Sequence, residues 1–163
     1  MLELYIDADA CPVKEEAYRV ALRHKMPTHV VSCQPMRVPV HDSIMQITVT
    51  AGPDIADDWI AEKIGAGDIC VTDDIPLAGR CIAKGAYVIN ARGRELNKTN
   101  IGETLATRDL LDRLRSDGTL PEGGGGGPAP FSKRDRSKFL EQLELTVRKI
   151  LRELPPPISE TGS

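Results

Sequence analysis

Glu3-Leu4-Tyr5-Ile6-Asp7-Ala8-Asp9-Ala10-Cys11-Pro12 is the stretch on which the fold turns. A short run rich in β-suited side chains ends in a carboxylate, a second carboxylate follows two places on, and Pro12 begins the next element. The run predicts a strand over residues 3–7. Pro12 suits the first turn of a helix, where its missing N–H would lack a partner in any case. A helix is therefore expected from Pro12 to about Lys25, closed by Pro27.

Outward from there, the alternation continues. Residues 28–33 predict a Val-rich second strand, a loop with Pro35 and Pro39 follows, and residues 44–50 alternate as a third. Gly52-Pro53-Asp54 marks a turn and a helix start, with Ile55, Ala56, Trp59, Ile60 and Ile64 at helical spacing before Gly65 and Gly67. Residues 68–72 predict a fourth strand, Pro76 opens a short helix ending near Gly85, and residues 87–89 predict a fifth strand. Asn100 is expected to cap the next helix, with Glu103 reaching back and Leu105, Leu110, Leu111 and Leu114 as its apolar stripe. Strands alternating with helices point to an α/β class: a three-layer Rossmannoid fold with a mostly parallel central sheet covered on both faces.

The remainder divides by composition. Residues 1–120 form the α/β domain, and residues 121–131, with five glycines at 123–127 and Pro128 and Pro130, read as a connector. The glycines are not a phosphate loop, because no Gly-Lys-Ser or Gly-Lys-Thr follows. Residues 132–154 predict a final helix capped by Ser132 and Asp135. Its apolar face of Leu140, Leu143, Val147, Ile150 and Leu151 suits docking on the domain. Residues 155–163 are expected to be a loose tail.

A length of 163 residues fits one domain with a short appendage. Aromatics make up only 4%, so the core must be mostly aliphatic, and the composition argues against a base-stacking platform. No apolar run approaches the ~20 residues of a membrane span, and a cytoplasmic location is expected. The net charge of −3 is unevenly spread. Residues 1–130 carry 14 basic and 19 acidic side chains, whereas residues 131–154 carry 7 and 4. An acidic body with a basic C-terminal segment could steer an anionic ligand. Cys11, Cys33, Cys70 and Cys81 lack metal-knuckle or C-x-x-C spacing and read as reduced apolar residues. His24, His29 and His41 lack the spacing of a zinc site.

Placement of the acids carries the functional reading. Asp7 and Asp9 follow the first predicted strand, and Asp73 and Asp74 follow the fourth. In open parallel sheets, ligands bind beyond the carboxyl ends of strands where the strand order reverses. Asp54, Asp57 and Asp58 fall in one helical turn facing the same edge. Each acid also has a local use, Asp54 as a helix cap and Asp73 or Asp74 as the cap before Pro76. Brought together, they repel unless protons or a cation relieve them. All-oxygen donors suit Mg²⁺ or Mn²⁺, and metal-assisted phosphodiester hydrolysis is the chemistry such a site supports.

Asp7-Ala-Asp-Ala-Cys-Pro12 with Val13 and Lys14, Asp54-Ile-Ala-Asp-Asp-Trp59, Thr72-Asp-Asp-Ile-Pro-Leu-Ala78, and Ser132-Lys-Arg-Asp-Arg136 through Phe139 together resemble the YaiI/YqxD family. That family is similar in fold to PIN-like and NYN-like nuclease domains, whose clustered acids hold Mg²⁺ or Mn²⁺. The resemblance implies that Asp7, Asp9, Asp54, Asp57, Asp58 and Asp74 occupy the family's acidic positions, with Asp73 departing from its pattern. On this reading Asp7 and Asp74 hold the metal, Asp57 or Asp58 completes the site, and Asp9 orients water. Lys14, Arg92, Arg134 and Arg136 are the expected contacts to phosphate, with RNA or another phosphodiester as the partner. Asp7-x-Asp9 with Asp73-Asp74 also looks like a haloacid-dehalogenase-type phosphatase, in which Asp7 would be a covalent nucleophile. A non-catalytic RNA-binding or regulatory module of the same fold is the third expectation.

Overall fold

The computed structural model describes residues 2–9, 11–52, 54–102 and 131–153. The helix stripe expected at Leu105–Leu114, the glycine run and the tail beyond residue 153 lie outside these residues. A six-stranded sheet has the order β3-β2-β1-β4-β5-β6. Its strands are β1 (Leu4–Asp7), β2 (Thr28–Ser32), β3 (Ile44–Thr48), β4 (Ile69–Val71), β5 (Tyr87–Ile89) and β6 (Glu95–Leu96). All neighbours are parallel except β5 and β6.

Alternation along the strands assigns the two faces. Leu4, Ile6, Val30, Ile69, Val71 and Ile89 face one core, completed by α1 (Lys14–Arg23) and the C-terminal helix α5 (Lys133–Glu153). Tyr5, Val31, Cys70 and Val88 face the other, under α2 (Ile55–Lys63) and α3 (Ile75–Ala83). The expected three-layer α/β architecture is thus present, and its core is mostly aliphatic: among the described residues the buried aromatics are Tyr5, Tyr18 and Phe139. Among the described residues, no helix is long and apolar enough to cross a membrane.

Three local expectations are corrected. Asp54 stands at the N-cap position of α2, but with φ +62° its side chain makes no capping hydrogen bond. Asn97, not Asn100, caps α4 (residues 98–102): its Oδ1 accepts the N–H groups of Thr99 and Asn100, and Asn100 Oδ1 accepts the N–H of Asn97 in return. The two-residue strand β6 was not expected. Arg94 O accepts the N–H of Asn90, and Gly93 at φ +86° turns the chain, so the segment after β5 is a hairpin too short for periodicity to reveal. Ser132 does cap α5, exchanging hydrogen bonds with Asp135 as read from the sequence.

Candidate functional site

β1 and β4 are neighbours at the centre of the sheet, with the chain running outward from β1 to β3 on one side and from β4 to β6 on the other. Helices following the two halves leave the sheet in opposite directions, and a crevice opens beyond the carboxyl ends of β1 and β4. A cleft of about 370 Å³ lies there. Asp7, Asp9, Asp54, Asp57, Asp73 and Asp74 line it, with no lysine or arginine among the lining residues.

Local structure aims each acid. Asp7 ends β1, and its Oδ2 accepts the Thr72 hydroxyl at 2.8 Å. Thr72 Oγ1 also accepts the N–H of Asp74 at 3.0 Å, so one hydroxyl ties the ends of the two central strands together. Asp74 caps α3, accepting the Leu77 N–H at 2.9 Å. Asp73 Oδ1 accepts the Ala91 N–H at 2.9 Å, joining the β4 end to the hairpin after β5. Asp9 receives the Cys33 N–H at 3.1 Å on both oxygens. Asp57 comes from the first turn of α2.

Crowding shows in the proton affinities. Burial raises the Asp7 carboxyl above its ordinary range; the Thr72 hydroxyl opposes this, while the charges of Asp74, Asp9 and Asp73 add to it. Asp57 is pushed up to about 6, first by burial, then by the charges of Asp74 and Asp7, and by a hydrogen bond shared with Asp74. Asp57 therefore keeps its proton to higher pH than an ordinary carboxyl and gives it up as pH rises through about 6, leaving a crowded set of negative charges above that.

The structure therefore brings five of the six expected acids to one cleft. Asp58 is not among them: it is exposed, and its Oδ1 lies 2.7 Å from Arg80 Nη1. Lys14 Nζ donates to the Cys11 carbonyl at 2.8 Å, Arg92 pairs with Asp135 at 2.9 Å, and Arg136 donates to the Pro12 carbonyl at 2.6 Å. Arg134 is exposed. Sequence reading missed Thr72 and Cys33. Thr72 carries a signal in hindsight, since a hydroxyl directly before two acids at a strand end can reach the adjacent strand. Cys33 has none, because only the parallel pairing of β2 with β1 places it beside Asp9. The four cysteines are free. Among the described residues, no three His, Cys, Asp or Glu side chains are grouped so as to hold a metal ion.

No solved structure matches the chain. Its curated relatives include a UPF0178 protein of Azorhizobium caulinodans, 53% identical over 93% of this chain and 92% of its own length. A UPF0178 protein of Parvibaculum lavamentivorans is 53% identical over 96% of this chain and all of its own length. One from Rhodospirillum rubrum is 48% identical over 93% of this chain and 99% of its own. The sequence model described as "Uncharacterized BCR, YaiI/YqxD family" matches residues 5–149, a span that takes in every acid of the cleft. On that match and on the near full-length identity to the relatives, the chain belongs to the YaiI/YqxD family.

Proposed function

We propose that the cleft is the active site of a metal-dependent phosphodiesterase acting on RNA or another nucleic acid. The observation that carries this reading is the convergence of Asp7, Asp57 and Asp74 on one cleft, close enough that their charges raise the proton affinity of Asp57. Acids crowded to that degree at the switch point of a parallel sheet destabilise the fold unless they are neutralised, and function is the usual reason for such crowding. The donors are carboxylate oxygens, which fits Mg²⁺ or Mn²⁺ better than zinc. When bound, the cation would neutralise phosphate oxygens and lower the pKa of a water.

The residues of the chain take the following parts. Asp7, Asp57 and Asp74 would hold the cation, whose charge would offset the repulsion that raises the proton affinity of Asp57, with Asp9, Asp54 and Asp73 adding negative potential at the cleft wall. Thr72 keeps Asp7 and Asp74 in register. Arg134, exposed at the start of α5, would meet the phosphate backbone, and with Lys133 it would attract it over a longer range. Asp58, held by Arg80, would act only on the potential at the rim.

Titration with Mn²⁺ tests the reading directly, because Trp59 is the one tryptophan of the chain and sits two residues from Asp57. Saturable quenching is expected, weakened in Asp74→Asn, together with Mg²⁺- or Mn²⁺-dependent cleavage of single-stranded RNA that Asp7→Asn abolishes. A flat titration with no cleavage would overturn it. Salt-sensitive RNA binding that survives Asp7→Asn without turnover would instead mark a binding module, and a trapped phosphoaspartate on Asp7 would mark a phosphatase.

A further inference from the structure

Two loops flank the cleft, and cationic side chains hold both of them from outside. In the loop between β1 and α1, consecutive carbonyls each accept from a cation: Cys11 O from Lys14 Nζ at 2.8 Å, and Pro12 O from Arg136 Nη1 at 2.6 Å. Arg136 also lies 3.4 Å from Glu16 Oε1. This loop carries Asp9 and Cys11 into the cleft. Across from it, the hairpin after β5 carries Ala91, whose N–H holds Asp73, and Arg92, which pairs with Asp135 on α5.

Both arginines converge on one aromatic ring. The Arg92 guanidinium lies 5.6 Å and that of Arg136 5.1 Å from the centre of the Phe131 ring, just before α5 begins. Gly93 closes the same junction. With φ +86°, it lets the hairpin backbone approach α5 so closely that an added Cβ would stand 2.7 Å from the Lys138 carbonyl carbon. Hydrogen bonds from charged donors to carbonyls are among the stronger ones, and a guanidinium already resting on a ring loses less freedom in making them.

We infer that Arg136 and Arg92 are positioning residues, clamping the two loops of the cleft onto the start of α5 and thereby setting where Asp9 and Asp73 stand. Lys14 assists from within α1. The assignment takes the cleft to be the functional site proposed above, whereas the clamp itself does not depend on what binds there. Three of the four cations expected at phosphate thus act on the protein's own backbone and carboxylates, and Arg134 alone is left at the exposed start of α5 in that set.

Amide hydrogen exchange of the full chain, followed by NMR without metal or nucleic acid, tests the clamp. The Cys33 amide, which donates to Asp9, reports on the first loop, and the Ala91 amide, which donates to Asp73, reports on the second. The amides of Leu4 and Ile69, bonded to Pro27 and Glu3 at the opposite edge of the sheet, serve as references. Arg136→Gln is expected to speed exchange at Cys33 roughly tenfold, and Arg92→Gln to do so at Ala91, with the references unchanged. Arg136→Lys should recover part of the protection, and Arg134→Gln should alter neither reporter. Equal acceleration at all four amides would reduce the arginines to general stabilisers and overturn the inference, as would unchanged exchange at Cys33 and Ala91. Should Arg136→Gln fail to fold, Arg136→Lys and Arg92→Gln read out the same amides. Because no metal or nucleic acid takes part, failure of the clamp and failure of the phosphodiesterase reading are separate results.

Discussion

Asp57 concentrates the physics of the cleft in one side chain. Its carboxyl ordinarily titrates near 3.8 and in the folded chain is pushed up to about 6. The folded state therefore binds more protons than the unfolded chain between those values, and stability must fall as pH rises through that interval. Asp57→Asn removes the penalty. Since Asp57 is only half-buried, solvent screening limits the gain, and a stabilisation on the order of 1 kcal/mol at pH 7 is expected, vanishing near pH 4. Urea denaturation of both proteins from pH 4 to 7 measures it. Saturating Mg²⁺ should reverse the order at pH 7, raising the Tm of the parent and leaving Asp57→Asn nearly unmoved. Asp57, Asp7 and Asp74 were legible in sequence as acids at a common edge. The raised proton affinity of Asp57 was not, because it depends on the nearness of Asp74, 17 positions along the chain.

At the scale of elements, Asp74 serves two ends. As the N-cap of α3 it contributes to stability, and as a cleft acid it subtracts from it. Asp74→Ala loses both and should destabilise by about 1 kcal/mol, whereas Asp74→Asn keeps the cap while removing the charge and should leave the Tm within a few degrees of the parent. The two variants should nonetheless be alike in losing Mn²⁺ quenching of Trp59. Gly93→Ala probes the hairpin between β5 and β6: a positive φ and a 2.7 Å approach to α5 predict a loss of about 1–3 kcal/mol by thermal melting. Elements with a repeating pattern, such as the Val-rich β2 and α5 with its Ser132–Asp135 box, could be read from the chain. β6 could not, since two residues carry no period, and that unread strand, ending at Leu96, sets the helix start at Asn97 instead of Asn100.

Over the whole molecule, α5 joins sequence-distant parts. Phe139, Leu143, Val147 and Ile150 are buried against α1 and the sheet, and Glu144 lies 3.0 Å from Arg23 and 2.9 Å from His24 on the end of α1. Phe139→Ala should cost about 3–5 kcal/mol, enough to threaten the fold, while Glu144→Gln, at a side chain only 13% exposed that meets Arg23, His24 and Arg148, should cost about 1–2 kcal/mol by the same urea titration. The chain alone determined the layering of the fold, the strand ends at which acids stand and the amphipathic face of α5, because these follow from local periodicity and from residues adjacent in sequence. Only the tertiary structure decided which acids meet. It turned Asp58 out to Arg80, drew Thr72 between Asp7 and Asp74, and set Arg92 and Arg136 on Phe131. Those outcomes depend on the direction in which each side chain leaves its element and on strand order, and both are settled only when the two cores close on opposite faces of the sheet.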